Sequence, residues 1–545
     1  MARCRVRPVR AGEDAARAAR MVRFGPPSTL RGIEMAARRG LTRRDALRAG
    51  GLGAAGLGLA ACGDDYFEPK TKHGSDVPNT LLLFTDSTRA DYVGAYNRVP
   101  RNQTPNIDAL AQDSLRFKLA VPEAMPTGPA RRALLSGVRS FPYRNWVVTK
   151  GLPTEPGWIP IPDHYPIFTE VMGEAGIETA YCTDNPFLVG PRFANFRRTL
   201  DEVRPSFSQG AYRFLNKPFK RPAPRSAVER YLLPELTNSL EVGRLRSMAG
   251  WNSIYRHRES QYAAARVVRS GIRLLDDLKK RRPFFLGVDT FDPHEPIDPP
   301  PTFLNRFGSE PKGIEKEGIE PIQPFETPYS WSVHVDVDDE TVERIRELYA
   351  ADITFVDGWI GRLLNELADQ NLLDETVVYY MSDHGITLGE HGLLGKHAAR
   401  AQWHIYHVPA MIRHPEGKLA GQESDFFAST HDVARSLLGF MDVRAPGAMN
   451  GEDLSVLFDG QPPAGARSHF TACYADYVLA GDHDWFLISD SEGRRKRLYD
   501  RRSDPCEIVD VSSEHPDIVD RLWRVLERQA GGTLPQFGRN GVLGG

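Results

Sequence analysis

The sequence predicts an α/β protein in which helices flank a large, mostly parallel sheet. Two observations carry this. From about Pro78, short apolar runs rich in β-branched residues alternate with stretches of helical periodicity, the pattern of a sheet covered on both faces. The runs also deliver polar residues just past their C-terminal ends, the edge where open α/β sheets hold ligands.

Asn79 to Thr85 (NTLLLFT) reads as the first strand and ends at Asp86. Ile177 to Cys182, Pro283 to Val288 and Thr376 to Met381 repeat the design as buried strands. Between Thr341 and Gln370, Tyr349, Ile353, Val356, Ile360, Leu363 and Leu364 recur at helical spacing, which predicts a core-facing helix. Residues 190 to 275 are rich in Arg, Pro and aromatics and read as an insertion that shapes a substrate cleft. After about Pro462 the composition changes again. The chain thus divides into 1–61, a linker at 62–77, a main domain at 78–460 and a C-terminal subdomain at 461–545.

At 545 residues with 41% apolar content the chain can bury one large core or two, and it shows no repeat. Lys plus Arg of 69 against Asp plus Glu of 71 gives a formal charge of −2, which points away from a nucleic-acid partner. The beginning is different. Residues 42 to 48 (TRRDALR) resemble a twin-arginine export signal, and AGGLGAAGLGLAA follows. That run is too short and glycine-rich to span a bilayer, which takes ~20 apolar residues, but it suits a signal-peptide core. Leu59, Ala60, Ala61 and Cys62 look like a lipobox, so the expectation is an exported periplasmic or cell-surface lipoprotein anchored through Cys62. The alternative is an ordinary cleaved signal with an incidental cysteine. Met21 and Met35 are further candidate starts. Cys4, Cys62, Cys182, Cys473 and Cys506 make neither a disulfide framework nor a spaced metal site.

Asp86, Asp383 and His384 stand at predicted strand ends, where oxygen and imidazole ligands can converge on one divalent ion; the bland alternative is helix capping. Thr127 precedes Pro129, a residue favoured in a helix's first turn, so its hydroxyl reads as a nucleophile at a helix N-terminus, as a plain N-cap, or as both together. The surrounding segments occur in a telling order: FTDSTRADYVGAY (84–96), TPNID (104–108), TGPARRALLSG (127–137), FDPHEP (291–296), SDHGITLGEHGLLGKH (382–397) and LYDRRSDPCEIVDV (498–511). Together they resemble the sulfatase branch of the alkaline phosphatase superfamily, whose patterns run VDDLRADHLGxY, CxPSRxxLLTG, FDPHxP, SDHGexLGEHGxxGKH and LYDLxxDPxExxNL.

The resemblance implies the sulfatase-like sheet architecture, with a small C-terminal α+β subdomain made of an antiparallel sheet and a closing helix at Pro516 to Gln529. It implies ester hydrolysis with Asp86, Asp383 and His384 as metal ligands and Arg131 and Lys396 holding the anion. His294 falls where the family has a substrate-contacting or leaving-group histidine. Asn185 is a substrate-contact candidate, as is His397; His391 and His397 also read as outer-shell donors or part of a second metal site with His294. On residue type alone His294 and Lys396 would be solvated surface groups. His404 and His407 fall where the family spacing is disturbed and receive no role.

Four departures run in one direction. Thr127 replaces the cysteine that becomes formylglycine, Ser87 replaces a second ligating aspartate, His384 replaces an asparagine, and Asp184 and Pro186 stand where many sulfatases have a lysine and histidine. Asp, Asp, His and a threonine hydroxyl resemble the one-metal ligand set of phosphatases, phosphodiesterases and phosphoethanolamine transferases, suited to zinc or manganese more than calcium. The leading expectation is cleavage of a phosphate mono- or diester, on a small-molecule, glycan or lipid substrate, through a covalent phosphothreonine. A true sulfatase, a phosphoethanolamine-type transferase and a non-catalytic protein that binds anionic glycans are the rivals.

Overall fold

The computed structural model describes residues 77–537 except 207–257, 307–331, 335–338, 399–401 and the single positions 145, 151, 154, 296, 298, 305, 397, 466 and 506. The expected export signal, Cys62 and His397 therefore lie outside the described residues.

In chain order the strands are β1 (Asn79–Thr85), β2 (Leu115–Phe117), β3 (Ala124–Met125), β4 (Glu178–Thr183), β5 (Glu202–Pro205), β6 (Phe284–Thr290), β7 (Ser332–His334), β8 (Thr376–Ser382), β9 (Thr387–Leu388), β10 (Leu393–Gly395), β11 (Ala410–Arg413), β12 (Glu423–Ser424), β13 (Phe470–Tyr474), β14 (Tyr477–Gly481), β15 (Trp485–Asp490) and β16 (Arg497–Asp500). The main sheet has the order β12-β2-β11-β8-β1-β6-β4-β5. From β8 to β5 every neighbour is parallel, while β11 is antiparallel to β8 and β2. The four strands anticipated from the apolar runs are β1, β4, β6 and β8. They are continuous in apolar character because both faces are covered.

Alternation along β1 shows the two layers. Leu81 and Leu83 enter one core with the helices Ala263–Leu278 and Asp339–Asp369, and Leu82 and Phe84 enter the other with Thr127–Ser136, Phe168–Glu174 and Asp432–Phe440. The anticipated 341–370 helix is the Asp339–Asp369 helix, and Tyr349, Ile353, Val356, Ile360 and Leu363 are buried in its core face.

The 190–275 stretch is not one inserted block. Glu202–Pro205 is the edge strand β5, and the Ala263–Leu278 helix packs on the sheet, so both flanks build the core. Beyond them the second sheet runs β16-β15-β14-β13-β3. The helix Pro516–Gln529 covers it through Val519, Leu522, Val525 and Leu526. Its fifth strand comes from far away in the chain: β3 pairs parallel with β13 and leads within two residues to Thr127. The C-terminal sheet thereby holds the base of the helix that carries the candidate nucleophile. Among the described residues no helix is long and apolar enough to cross a membrane.

Candidate active site

Thr85 of β1 lies opposite Ser382 of β8 in a parallel register, so Asp86 and Asp383 leave adjacent strands side by side. On the other side of β1, Asp289 of β6 lies opposite Phe84. The hydrogen bonds continue past the strand ends, from Asp86 N–H to Thr290 O (3.1 Å) and from Asp383 N–H to Thr85 O (3.3 Å). One ligand atom each from Asp86, Asp383 and His384 all lie within 4.8 Å of one another, and all three residues are buried.

Local geometry aims these groups. Asp383 Oδ1 accepts from the backbone N–H of Ser87 (2.9 Å) and of His384 (2.8 Å). Ser87 adopts a φ of 61° to make this turn, an uncommon conformation for a residue with a side chain. His384 Nδ1 donates to Gly385 O at 2.9 Å, which leaves the Nε2 lone pair facing the cluster, the arrangement seen at metal-ligating histidines. Burial, followed by the Lys396 charge, lowers the His384 pKa to about 4, so the ring is the neutral ligand form. Burial and then the Asp383 charge raise Asp86 to about 7, against the pull of Arg131. Two buried carboxylates and a neutral imidazole of this disposition fit a divalent cation, which would offset the charge that otherwise favours a proton.

Thr127 is the first residue of the helix Thr127–Ser136, and the capping position is Pro126, without a side-chain cap bond. The N-cap alternative is therefore excluded. Thr127 Oγ1 lies 3.2 Å from His384 Nε2 instead. The next residue explains how the helix comes so close: a Cβ on Gly128 would fall 2.4 Å from the Trp158 ring. Trp158 is itself wedged against Phe187, with ring centroids 4.7 Å apart.

Arg131, one turn along, is enclosed by carboxylates. Nη1 donates to Asp86 Oδ2 at 2.9 Å and to Asp383 Oδ2, while Nε and Nη2 grip Asp289 at 3.1 and 2.7 Å. Its guanidinium lies 5.1 Å from the Phe84 ring centroid. Burial opposes its charge, but Asp289, Asp383 and Asp86 outweigh burial and hold its pKa well above the ordinary value. The guanidinium that the sequence reading gave to an anion is held here by Asp86, Asp383 and Asp289. Asp289 was missed because it closes an apolar strand run. A charged residue in a strand otherwise buried on both faces was the available signal.

The structure buries His294 and Lys396, so neither is a surface group. Lys396 Nζ lies 2.9 Å from Glu295 Oε2 and 3.3 Å from Ser87 Oγ, and Ser87 Oγ donates to Asp86 Oδ1 at 2.7 Å. His294 stacks on Phe291 (4.1 Å) and places Nδ1 2.6 Å from Glu295 O. Asn185 accepts from the N–H groups of Phe187 and Leu188 through Oδ1. Its buried Nδ2 has no hydrogen-bond partner among the described residues, leaving a donor for an incoming oxygen. Asp184 accepts from Phe291 N–H at 2.7 Å, and burial next to Asp292 pushes its pKa well up. His294 and His391 do not join a second ligand cluster among the described residues. His407 contacts Lys118 O, and His404 lies 4.0 Å from Asp91.

A family model described as Sulfatase matches residues 78–443. The chain belongs to the sulfatase family. Among curated relatives, the multifunctional alkaline phosphatase superfamily protein PehA of Trinickia caryophylli is 25% identical over 70% of this chain and 78% of its own length. The arylsulfatase of Clostridium perfringens is 21% identical over 84% of this chain and 95% of its own. Among solved structures, the phosphonate monoester hydrolase of Agrobacterium radiobacter superposes with a TM-score of 0.61 at 20% identity, covering 84% of this chain and 96% of that one. The sulfatase-family assignment makes this chain an ester hydrolase of the alkaline phosphatase superfamily, with Asp86, Asp383 and His384 as its candidate metal triad.

Proposed function

We propose that this sulfatase-family hydrolase cleaves a phosphate mono- or diester, or a sulfate ester, by nucleophilic attack of Thr127. The observation that carries the reading is the Thr127 hydroxyl, 3.2 Å from His384 Nε2 beside the buried Asp86 and Asp383, in a chain with no cysteine at that position. Asp86, Asp383 and His384 would hold the metal, zinc or manganese by donor type. When bound, a divalent ion there lowers the pKa of a nearby hydroxyl and offsets charge on the transferred group.

The Thr127 hydroxyl gives its proton up to solvent as Oγ bonds to phosphorus or sulfur and the bond to the ester oxygen breaks. His294, protonated at both ring nitrogens, hands its Nε2 proton to the departing oxygen, and its Nδ1 stays bonded to Glu295 O. Water then attacks the covalent phosphothreonine or sulfothreonine, giving one proton back to His294 Nε2 as the Thr–O bond to phosphorus or sulfur breaks, and the freed Thr127 oxygen takes a proton from solvent. Lys396 and the Asn185 amide hold the anion, while Arg131 keeps the ligand carboxylates in place. The threonine hydroxyl in place of a cysteine favours the phosphorus esters, and the likeness to the arylsulfatase supports the sulfate alternative.

The test is a panel of nitrophenyl sulfate, phosphate, phosphodiester and phosphonate with zinc, manganese or calcium, on wild type and Thr127→Ala. Trapped phosphothreonine and loss of turnover in Thr127→Ala support the reading. Sulfate turnover with none on phosphorus esters sinks its phosphate form, and activity untouched by Thr127→Ala sinks the nucleophile. We also propose export and anchoring through Cys62, tested by whether Cys62→Ala moves the protein from the membrane to the soluble fraction.

A further inference from the structure

We infer that Glu295 sets the charge of the substrate this site selects: by ion-pairing Lys396 within the pocket it favours esters carrying one negative charge over doubly charged phosphate monoesters. The inference rests on the proposed ester hydrolysis and deepens it to a substrate class.

Glu295 Oε2 lies 2.9 Å from Lys396 Nζ, and the two side chains are 4% and 0% exposed. A pair so placed is poorly screened, and at a few ångströms each charge largely cancels the field of the other. Ser87 Oγ, 3.3 Å from Nζ, holds the ammonium on its other side and passes the contact to Asp86.

The charges of the whole site agree. Among the described residues, Asp86, Asp289, Asp383 and Glu295 face Arg131 and Lys396. That leaves two carboxylates in excess, which one divalent ion balances. An ester therefore meets a pocket whose one surplus positive charge is the proton that His294 hands to the leaving oxygen. A second negative charge on the substrate would be buried without a counterion, a penalty that rises steeply in a desolvated site. Selectivity here is a difference of affinities, set by what the pocket fails to neutralise.

The experiment compares nitrophenyl sulfate, bis-nitrophenyl phosphate and nitrophenyl phenylphosphonate, each singly charged, with doubly charged nitrophenyl phosphate at pH 8. Nitrophenolate leaves without a proton, so the effect of Glu295 on His294 does not enter. In Glu295→Gln the kcat/KM ratio of the dianion to the monoanions should rise roughly tenfold or more, as one opposing charge within a few ångströms is removed. Binding gives a second readout: dimethyl phosphate should bind metal-loaded Thr127→Ala protein about tenfold tighter than methyl phosphate by calorimetry, and Glu295→Gln should erase the difference. A parallel loss on all four esters would show a merely structural role and overturn the inference. So would tighter binding of methyl phosphate to the Thr127→Ala protein, even if Glu295→Gln did not fold. No turnover of any ester would instead strike the proposed function itself.

Discussion

Thr127 Oγ1 and His384 Nε2 lie 3.2 Å apart across 257 residues of sequence, both buried. The contact joins a helix start to the end of β8. It brings the Thr127 hydroxyl up to the candidate metal triad.

Thr127→Ala should lower kcat by on the order of a thousandfold or more while the protein keeps its fold and its metal, and Thr127→Ser should recover part of the loss. Steady-state kinetics with metal content per chain checks this. Loss of metal from Thr127→Ala would show that the hydroxyl is chiefly a ligand.

Asp289→Asn should destabilise the protein by about 3 to 5 kcal/mol, because it leaves the Arg131 guanidinium buried with two of its donors badly matched. Tyr181→Phe, which removes only the 3.3 Å hydrogen bond to Asp289 Oδ2, should cost about 1 kcal/mol. Denaturant midpoints decide it, and equal effects would contradict the central place given to Asp289.

Gly128→Ala should cost both stability and kcat. Its Cβ would stand 2.4 Å from Trp158, and overpacking of this kind costs roughly 1 to 3 kcal/mol. Trp158→Leu should relieve part of the defect in the double variant. Additive losses would mean that the two residues do not meet as described.

Stability should fall with rising pH through one acid in the C-terminal subdomain. Glu507 accepts from Trp403 N–H with both oxygens (2.9 and 3.0 Å), and burial raises its pKa to about 8. The folded state therefore holds a proton that the unfolded chain releases in the ordinary glutamate range. The stabilisation is complete below that range and is lost as pH rises to about 8, with a slope of at most about 1.4 kcal/mol per pH unit. Glu507→Gln should flatten the dependence between pH 5 and 8. An unchanged slope of denaturation free energy against pH would refute the assignment.

Much of the site was legible in the sequence because strands end where apolar character ends. Asp86 and Asp383 follow such ends directly, and the helix after Thr127 announces itself through Pro129. Asp289 and Glu295 were not legible as partners. Each sits beside a recognised residue, but its role lies in an ion pair to Arg131 or Lys396 from another part of the chain. Likewise β3 is two residues long, and only its pairing with β13 makes it a strand.

The sequence by itself determined the family, the parallel α/β core and the residue types of the candidate site, because these follow from local periodicity and from motifs contiguous in the chain. Tertiary structure alone decided which carboxylate answers which cation. It placed Arg131 among Asp86, Asp289 and Asp383 and set Glu295 against Lys396. Coulombic pairing depends on distance and burial, and the chain's order records neither.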